Sequence, residues 1–571
     1  MRDIMKLKSL FTTAIHSKVL FITLLAVGLA FTAQAQVATQ APVAGEIMSI
    51  SVLDATDVYS RGTIVIGGQN VIIPANMVID LPANRLTLQQ LFTEAPPSCI
   101  ITGETGLAKE DACNDSATGA SATILANVTS GGNIIAGDVF IEKSAESILG
   151  NVSYIDYNDG YLRVNGTPGD ATSGVMVRVN DPSGRFTIQS GAGVAAGSPN
   201  GSADPRFGVD PDNYTITFST GYPACIPSTS TISGRTLVAD LGTGAGDEFC
   251  PVSNRPGNDN PPDAFRFAPI MLGDHIGAEG NFEIIDGVQF LSAHTLTVHV
   301  ALFTVNGQPD YLIFDEVEWD VAGFQNVRIR TLFIGFSTRS DSLVDLFTLN
   351  IDPATGLETE HILASTVGCE AVEPGQCTAQ GIGATAPGIF KIRYDVDFIA
   401  GVAKPSQSPC QVLNASNLAA IGHSSPPVCS GAITTGDDFS VLSPISRDLI
   451  GRSRNKVLGT AGGFGDSVDI LGNASPNGEY LNPVGIGHPE FVEINLNAIQ
   501  TPLIFTGQPW NLDRRLGPGG SEPAVAGATF SLDPFPYSGL DPRNQTTPPL
   551  ATVLGATAAN RIFAYVTNPA D

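Results

Sequence analysis

Apolar residues in this chain recur at every second position over short runs, and Gly, Asn, Asp or Pro closes each run. A period of two sends successive side chains to opposite faces of an extended backbone, so the pattern predicts strands and turns. One arrangement of runs occurs twice. Residues 45–73 open with Gly45, Ile47 and Ile50 and continue through Gly62, Ile64, Ile66 and Gly68. Residues 150–188 open with Gly150, Val152 and Ile155 and continue through Gly160, Leu162, Val164 and Gly166. Each reads as a strand, a turn and a strand, used twice as a building unit.

The first copy continues with a third strand ending in VIIP and then a helix near 86–95. There Leu88, Leu91 and Phe92 share a face and Pro96 ends the helix. A cysteine-bracketed loop and two more strands, ATILANVTS and NIIAGDVFIEKS, follow. Three strands, a helix and two strands is the connectivity of an oligonucleotide/oligosaccharide-binding (OB) barrel. In the second copy the closing strands arrive late, in MLGDHIGAEGNFEIIDGVQFLSAHTLTVHV, after an insertion at about 190–262 rich in Gly, Pro, Asn and Asp. The expected fold class is all-β and multidomain, with tandem OB-like β-barrels followed by further β-rich, sandwich-like domains with long loops. The expected boundaries are a signal peptide over 1–35, a first barrel over 36–147, a second over 148–300, a β-rich domain over 301–405 and a loop-rich β domain over 406–571. Strands are expected at ALFTVNG, YLIFDEVEWDV, VRIRTLFIGFST and IFKIRYDVDFIA, and at FVEINLN, ATFSL and RIFAYVT near the end. VDLFTLNIDPATGLETEHIL reads as a hairpin turning at Asp352–Gly356.

The segments GNVSYIDYNDGYLRVNG, GVMVRVNDPSGRF, DPRFGVDPDNYTITFSTGYPACIP, FCPVSNRP, FAPIMLGDHI and FLSAHTLTVHVALFT carry a resemblance. They are similar to an uncharacterised family of secreted bacterial and fungal β-rich proteins, and the closing block resembles small secreted OB-like modules. The resemblance covers roughly 44–365 and implies membership and fold. It implies no activity and no catalytic residues.

Charge and cysteines set the compartment. Residues 1–35 pair a basic start (Arg2, Lys6, Lys8, Lys18) with the apolar run VLFITLLAVGLAF and the small residues Ala33 and Ala35. That is signal-peptide grammar, with cleavage expected before Gln36. The run is short for a membrane span, and no later stretch is long and apolar enough, so no span is expected after cleavage. The expected location is exported: extracellular, cell surface or periplasm. The formal charge is −27, and losing a leader with four bases and one acid takes it to −30. So acidic a chain is a poor partner for nucleic acid. Only 15% of residues are charged and 43% are hydrophobic, which suits packed cores and argues against a disordered acidic tail. Eight cysteines fall in successive couples, and loop economy pairs nearest neighbours: Cys99 with Cys113, Cys225 with Cys250, Cys369 with Cys377 and Cys410 with Cys429.

Catalytic signatures are missing: no Gly-x-Ser-x-Gly elbow, His-Glu-x-x-His or Walker loop. Asp156 and Asp159 in one turn, and Asp210 and Asp212 in the insertion, are calcium candidates, set against the ordinary turn chemistry of Asp and Asn. No other cofactor is expected. Tyr154, Tyr157 and Tyr161 form a candidate aromatic platform for a ligand, set against plain packing on strands. His294 and His299, five apart on one expected strand, face opposite ways and suit no shared metal. Asp315, Glu316, Glu318 and Asp320 punctuate a strand without clean alternation. The reading these features favour is an exported, non-catalytic structural or adhesive protein, whose partner is a second copy of itself or a surface glycan. The alternatives are a carbohydrate- or ligand-binding module and, behind it, a secreted hydrolase with a dispersed acidic site.

Overall fold

The computed structural model describes residues 42–339, apart from short internal stretches of which 230–246 is the longest, and a set of strands between 344 and 532. The expected leader lies outside the described residues. Strands make up 44% of what is described and helices 5%, so the chain is strand-rich, as its alternation predicts. No helix among the described residues is long and apolar enough to cross a membrane.

The first sheet contains β1 (Val43–Val52), β2 (Gly62–Ile66), β3 (Gln69–Ile73), β4 (Val78–Asp80), β5 (Arg85–Thr87), β6 (Ser121–Val128) and β7 (Ile134–Glu142). β1, β2 and β3 form an antiparallel meander, and β6 pairs with the other edge of β1. β7 pairs antiparallel with β6 and parallel with β3, through Val71↔Ile134 and Ile72↔Ile135. The pairings close a five-strand ring in the order β1-β2-β3-β7-β6, with the β4–β5 hairpin attached beyond β7.

The second sheet repeats this order. Its strands are β8 (Glu146–Asp156), β9 (Tyr161–Val164), β10 (Val175–Val179), β11 (Ile216–Phe218), β14 (His275–Ile285) and β15 (Val288–Val298). β12 (Ala224–Cys225) and β13 (Ala268–Pro269) make a separate parallel pair between β11 and β14 in the chain. The ring runs β8-β9-β10-β15-β14 and closes where β10 lies parallel to β15, while β11 extends it along β15.

The repeated spacing at the openings has a structural cause. Strict alternation puts apolar residues two apart, yet Ile47 and Ile50 are three apart, as are Val152 and Ile155. In each case the register slips there, between Ile47 and Ser49 on β1 and between Val152 and Tyr154 on β8. One extra residue restores the inward phase after a bulge, and a bulge bends and twists the strand. Ile47 and Val152 are buried, and Ile50 and Ile155 pack on the same cores. The glycines that follow allow close approach: a Cβ on Gly62 would lie 2.0 Å from the Ser51 carbonyl oxygen. Gly160 adopts a φ of +69°, and a Cβ there would lie 2.1 Å from the Ile188 carbonyl oxygen.

The expected helix near 86–95 is shorter than the pattern suggests. Arg85–Thr87 pairs with Val78–Asp80 as β5, and helix runs only over Gln90–Thr93 and again over Pro97–Thr102. The Thr87 and Gln90 side chains bond each other's backbone N–H at 3.3 and 2.9 Å and so tie the end of β5 to the first helical residue. Pro96 precedes the second helix and does not merely end the first. Cys99 of that helix is bridged to Cys113, and Cys225 to Cys250, as nearest-neighbour pairing predicts. Cys369, Cys410 and Cys429, and the side chain of Cys377, lie outside the described residues.

Beyond 300 the ALFTVNG strand does not form. Residues 301–305 run without a ladder, and Thr304 is instead tied to Thr338 by its backbone N–H at 2.9 Å and its hydroxyl at 3.0 Å. β16 (Leu312–Trp319), β17 (Arg328–Ser337), β20 (Cys377–Gly381) and β21 (Gly388–Ile399) form one sheet in the order β16-β17-β21-β20, with β22 (Val402–Ala403) on β21. β18 (Val344–Ile351), β19 (Glu358–Ser365), β23 (Asp448–Ser453) and β24 (Glu479–Pro483) form another in the order β19-β18-β23-β24. β18 and β19 pair antiparallel as the hairpin reading expects, with the turn itself outside the described residues. The broken alternation around Asp315 is a bulge, since the register slips between Phe314 and Glu316. Gly451 of β23 leaves room for the Phe314 ring of β16, whose Cζ would lie 2.8 Å from a Cβ there. FVEINLN and RIFAYVT lie outside the described residues, while Phe530–Leu532 pairs parallel with Leu503–Phe505.

Candidate functional site

On β9 the alternation turns Leu162 and Val164 into the core and leaves Tyr161 and Arg163 on the outer wall. Across the ladder Tyr154 lies opposite Arg163, and Asp156 opposite Tyr161. The expected platform therefore forms in part. The Tyr154 and Tyr161 rings are 6.2 Å apart at 46°. Tyr157 sits in the turn after β8, where its carbonyl accepts hydrogen bonds from the Thr229 N–H at 2.7 Å and hydroxyl at 3.2 Å. Two guanidinium groups border Tyr161, Arg178 at 5.1 Å and Arg163 at 5.7 Å from the ring centre.

Arg178 is the residue that sequence reasoning missed here. It is fully buried and spends its Nη groups on the carbonyls of Asp159, Ser190 and Ala192 at 2.9–3.2 Å and on the Gln189 side-chain oxygen at 3.2 Å. Burial pulls its pKa down to about 10, against the nearby charge of Asp159. Burial also raises the Tyr161 and Tyr154 hydroxyls, helped by the Asp156 carboxylate, so both phenols stay protonated at neutral pH. The wall thus presents two neutral phenols, a carboxylate and a cation. That set can stack on a sugar ring and bond its hydroxyls.

The calcium candidates are occupied with turn-making. Asp156 Oδ1 accepts from the N–H groups of Asn158 and Asp159 at 3.0 and 2.9 Å, and its Oδ2 accepts from the Tyr154 hydroxyl at 3.2 Å. Asp159 Oδ1 accepts from Asn158 Nδ2 at 3.0 Å. Asp210 accepts from the Asn213 N–H at 3.2 Å and Nδ2 at 2.8 Å. Asp212 lies outside the described residues. No group of three or more His, Cys, Asp or Glu side chains gathers among the described residues. Of the expected strand pair His294 and His299, His294 is buried and its pKa falls to about 4, because burial disfavours the charged ring. His299 follows the last residue of β15 and is exposed.

Among the described residues a dense set of buried charges lies in the insertion. A short 3-10 turn, Pro205–Phe207, presents Arg206 and Phe207, both buried. Arg206 forks onto Asp204 with two bonds of 2.8 Å and donates to the Leu91 and Thr105 carbonyls of the first barrel at 2.6 and 2.9 Å. Phe207 packs inside the first barrel's core, and Asn84 Nδ2 donates to the Arg206 carbonyl at 2.9 Å. The same segment is held to the second barrel. Asn180 Nδ2 donates to the carbonyls of Asp204 and Phe207 at 3.1 and 2.9 Å. Ser202 donates to Glu283 of β14 at 2.5 Å, and Lys143 lies 3.8 Å from both Asp204 and Glu283. Burial pushes the Asp204 carboxyl upward, but the charge and bonds of Arg206 outweigh it and hold the pKa below the usual range. A carboxylate so fixed is a structural ion, poorly suited to acid–base work. In sequence the only signal was an Arg-Phe pair amid Gly and Pro.

Neither a family model, nor a curated protein, nor a solved structure matches this chain.

Proposed function

We propose that the chain is an exported, non-catalytic structural or adhesive protein whose two five-strand rings are OB-type barrels. The barrel assignment is supported by the strand order: a three-strand meander, then a fifth strand parallel to the third and a fourth between fifth and first, twice over. Export is supported by two disulfides, which persist in oxidising compartments, and by the expected leader. The observation that carries the structural reading is the Asp204–Phe207 segment. An insertion of the second barrel buries a phenylalanine and a guanidinium in the first, so the pair is built as one piece. Modules that bind separately gain nothing from such a joint, whereas a load-bearing unit does. Among the described residues β19 and β20 stand at the ends of their strand orders, where a second copy would add its own strand. Gold-labelled antibody on native cells, with negative-stain microscopy of the purified chain, tests the reading. Surface labelling with filaments or sheets is expected; a strictly monomeric protein that washes off the cells removes it.

A second reading is favoured by the Tyr154, Tyr161 and Arg163 wall, which an OB-type barrel would present as part of its ligand face. A glycan array should then show binding by the intact chain that Tyr161→Ala abolishes. An array with no binder eliminates it.

A further inference from the structure

The ladder brings together two histidines that are far apart in sequence. β14 and β15 pair through Ile276↔Val298, so the next residues out, His275 and His299, are direct cross-strand neighbours, joined by the His299 N–H donating to the His275 carbonyl at 2.9 Å. Their ring centres are 5.2 Å apart at 54°, and both residues are exposed. On the other side β8 places Asn151 opposite His275, and the Asn151 Oδ1 lies 2.9 Å from His275 Nδ1. A carbonyl-type oxygen only accepts, so that bond puts the proton on Nδ1 and leaves the lone pair on Nε2. This is the outer-sphere arrangement that orients a metal-binding imidazole. The His299 ring lies against Gly277, the next residue on the same face of β14: a Cβ there would be in ordinary contact, 3.4 Å from His299 Nε2.

We propose that His275 and His299 form a surface site for a late first-row divalent metal ion, of the zinc or copper class, with Asn151 as the positioning residue. Neutral imidazole nitrogen is the donor these ions prefer, whereas calcium and magnesium take oxygen. Two protein ligands leave the remaining positions to water. The chain's strongly negative charge raises the local concentration of cations. The site is independent of the acidic turns considered for calcium and of the Tyr154–Tyr161 wall.

The test is copper(II) titration of the purified full-length chain after chelator treatment, followed by electron paramagnetic resonance and calorimetry. The expected result is one tightest site whose spectrum carries hyperfine coupling from two nitrogens. His275→Gln and His299→Gln should each weaken it at least tenfold and leave one-nitrogen coupling, with the thermal melt of the metal-free protein unchanged. Asn151→Leu should weaken binding several-fold while keeping the two-nitrogen spectrum, a split that a merely structural role would not produce. Zinc should compete for the site and calcium should not. A tightest site that survives both histidine substitutions, or no binding by the intact chain, overturns the proposal.

Discussion

Asp181 and His294 are buried titratable groups with opposite preferences. Asp181 accepts from the Phe186 and Thr187 N–H groups, yet burial still lifts its pKa to about 6 from an ordinary 3.8. Between those values the folded chain holds a proton that the unfolded chain has lost. This contribution is therefore full below the lower value and is lost as pH rises through about 6. His294, lowered to about 4 from 6.5, works the other way. The unfolded chain binds the proton first, so its contribution is present above 6.5 and is lost as pH falls through about 4. Each spans on the order of 3 kcal/mol, and the two slopes oppose each other in nearly the same window. Asp181→Asn should thus gain stability relative to the parent as pH rises from 4 to 6, by about 2–3 kcal/mol. His294→Gln should gain relative stability as pH falls across 6.5 to 4. Urea melts at four pH values read both; variant and parent curves that stay parallel would refute the assignment. At this scale the sequence was partly legible. Tyr154 and Tyr161 were recognisable as a pair because a strand–turn–strand brings them together locally. Arg178 was not, because its partners Gln189, Ser190 and Ala192 lie in an insertion whose path no pattern announces.

At the scale of elements, most strands were legible, but ALFTVNG read as a strand that does not form and β5 was hidden in an expected helix. The twin openings were recognisable because burial of alternate residues writes a period of two, whereas the bulge at their three-residue step is shown by the strand register alone. Thr87 shows the limit. Its neighbourhood reads as helix by apolar spacing, but the pairing of β5 with β4 wins, and the reciprocal Thr87–Gln90 bonds hold the turn between strand and helix. Thr87→Ala removes the bond to the Gln90 N–H and should cost about 1 kcal/mol, seen as a lower urea midpoint with unchanged slope. The disulfides belong here too. Cys99–Cys113 spans 14 residues and Cys225–Cys250 spans 25, so opening either by paired Cys→Ala substitution should cost about 2–4 kcal/mol. Thermal melts of each double variant check this, and equal stability would mean that the loops are ordered without their bridges.

At the scale of the molecule, the joint between the barrels makes a prediction of its own. Phe207 is fully buried in a core that is not its own barrel's, so Phe207→Ala should cost about 3–5 kcal/mol in the first barrel. The parent should melt the two barrels together in calorimetry. Phe207→Ala combined with Arg206→Ala should split the transition in two, and a single unsplit transition would show that the joint does not couple them. The sequence by itself determined the strand-rich class, the duplication and the two described disulfides, because each is written in local alternation, short spacing or loop economy. Tertiary structure decided the rest. The parallel contacts of β3 with β7 and β10 with β15, the seat of Phe207 and the meeting of His275 with His299 all join residues distant in the chain. Such contacts depend on shape and register after folding, and a periodicity of two records which face a side chain takes but not what it will meet there.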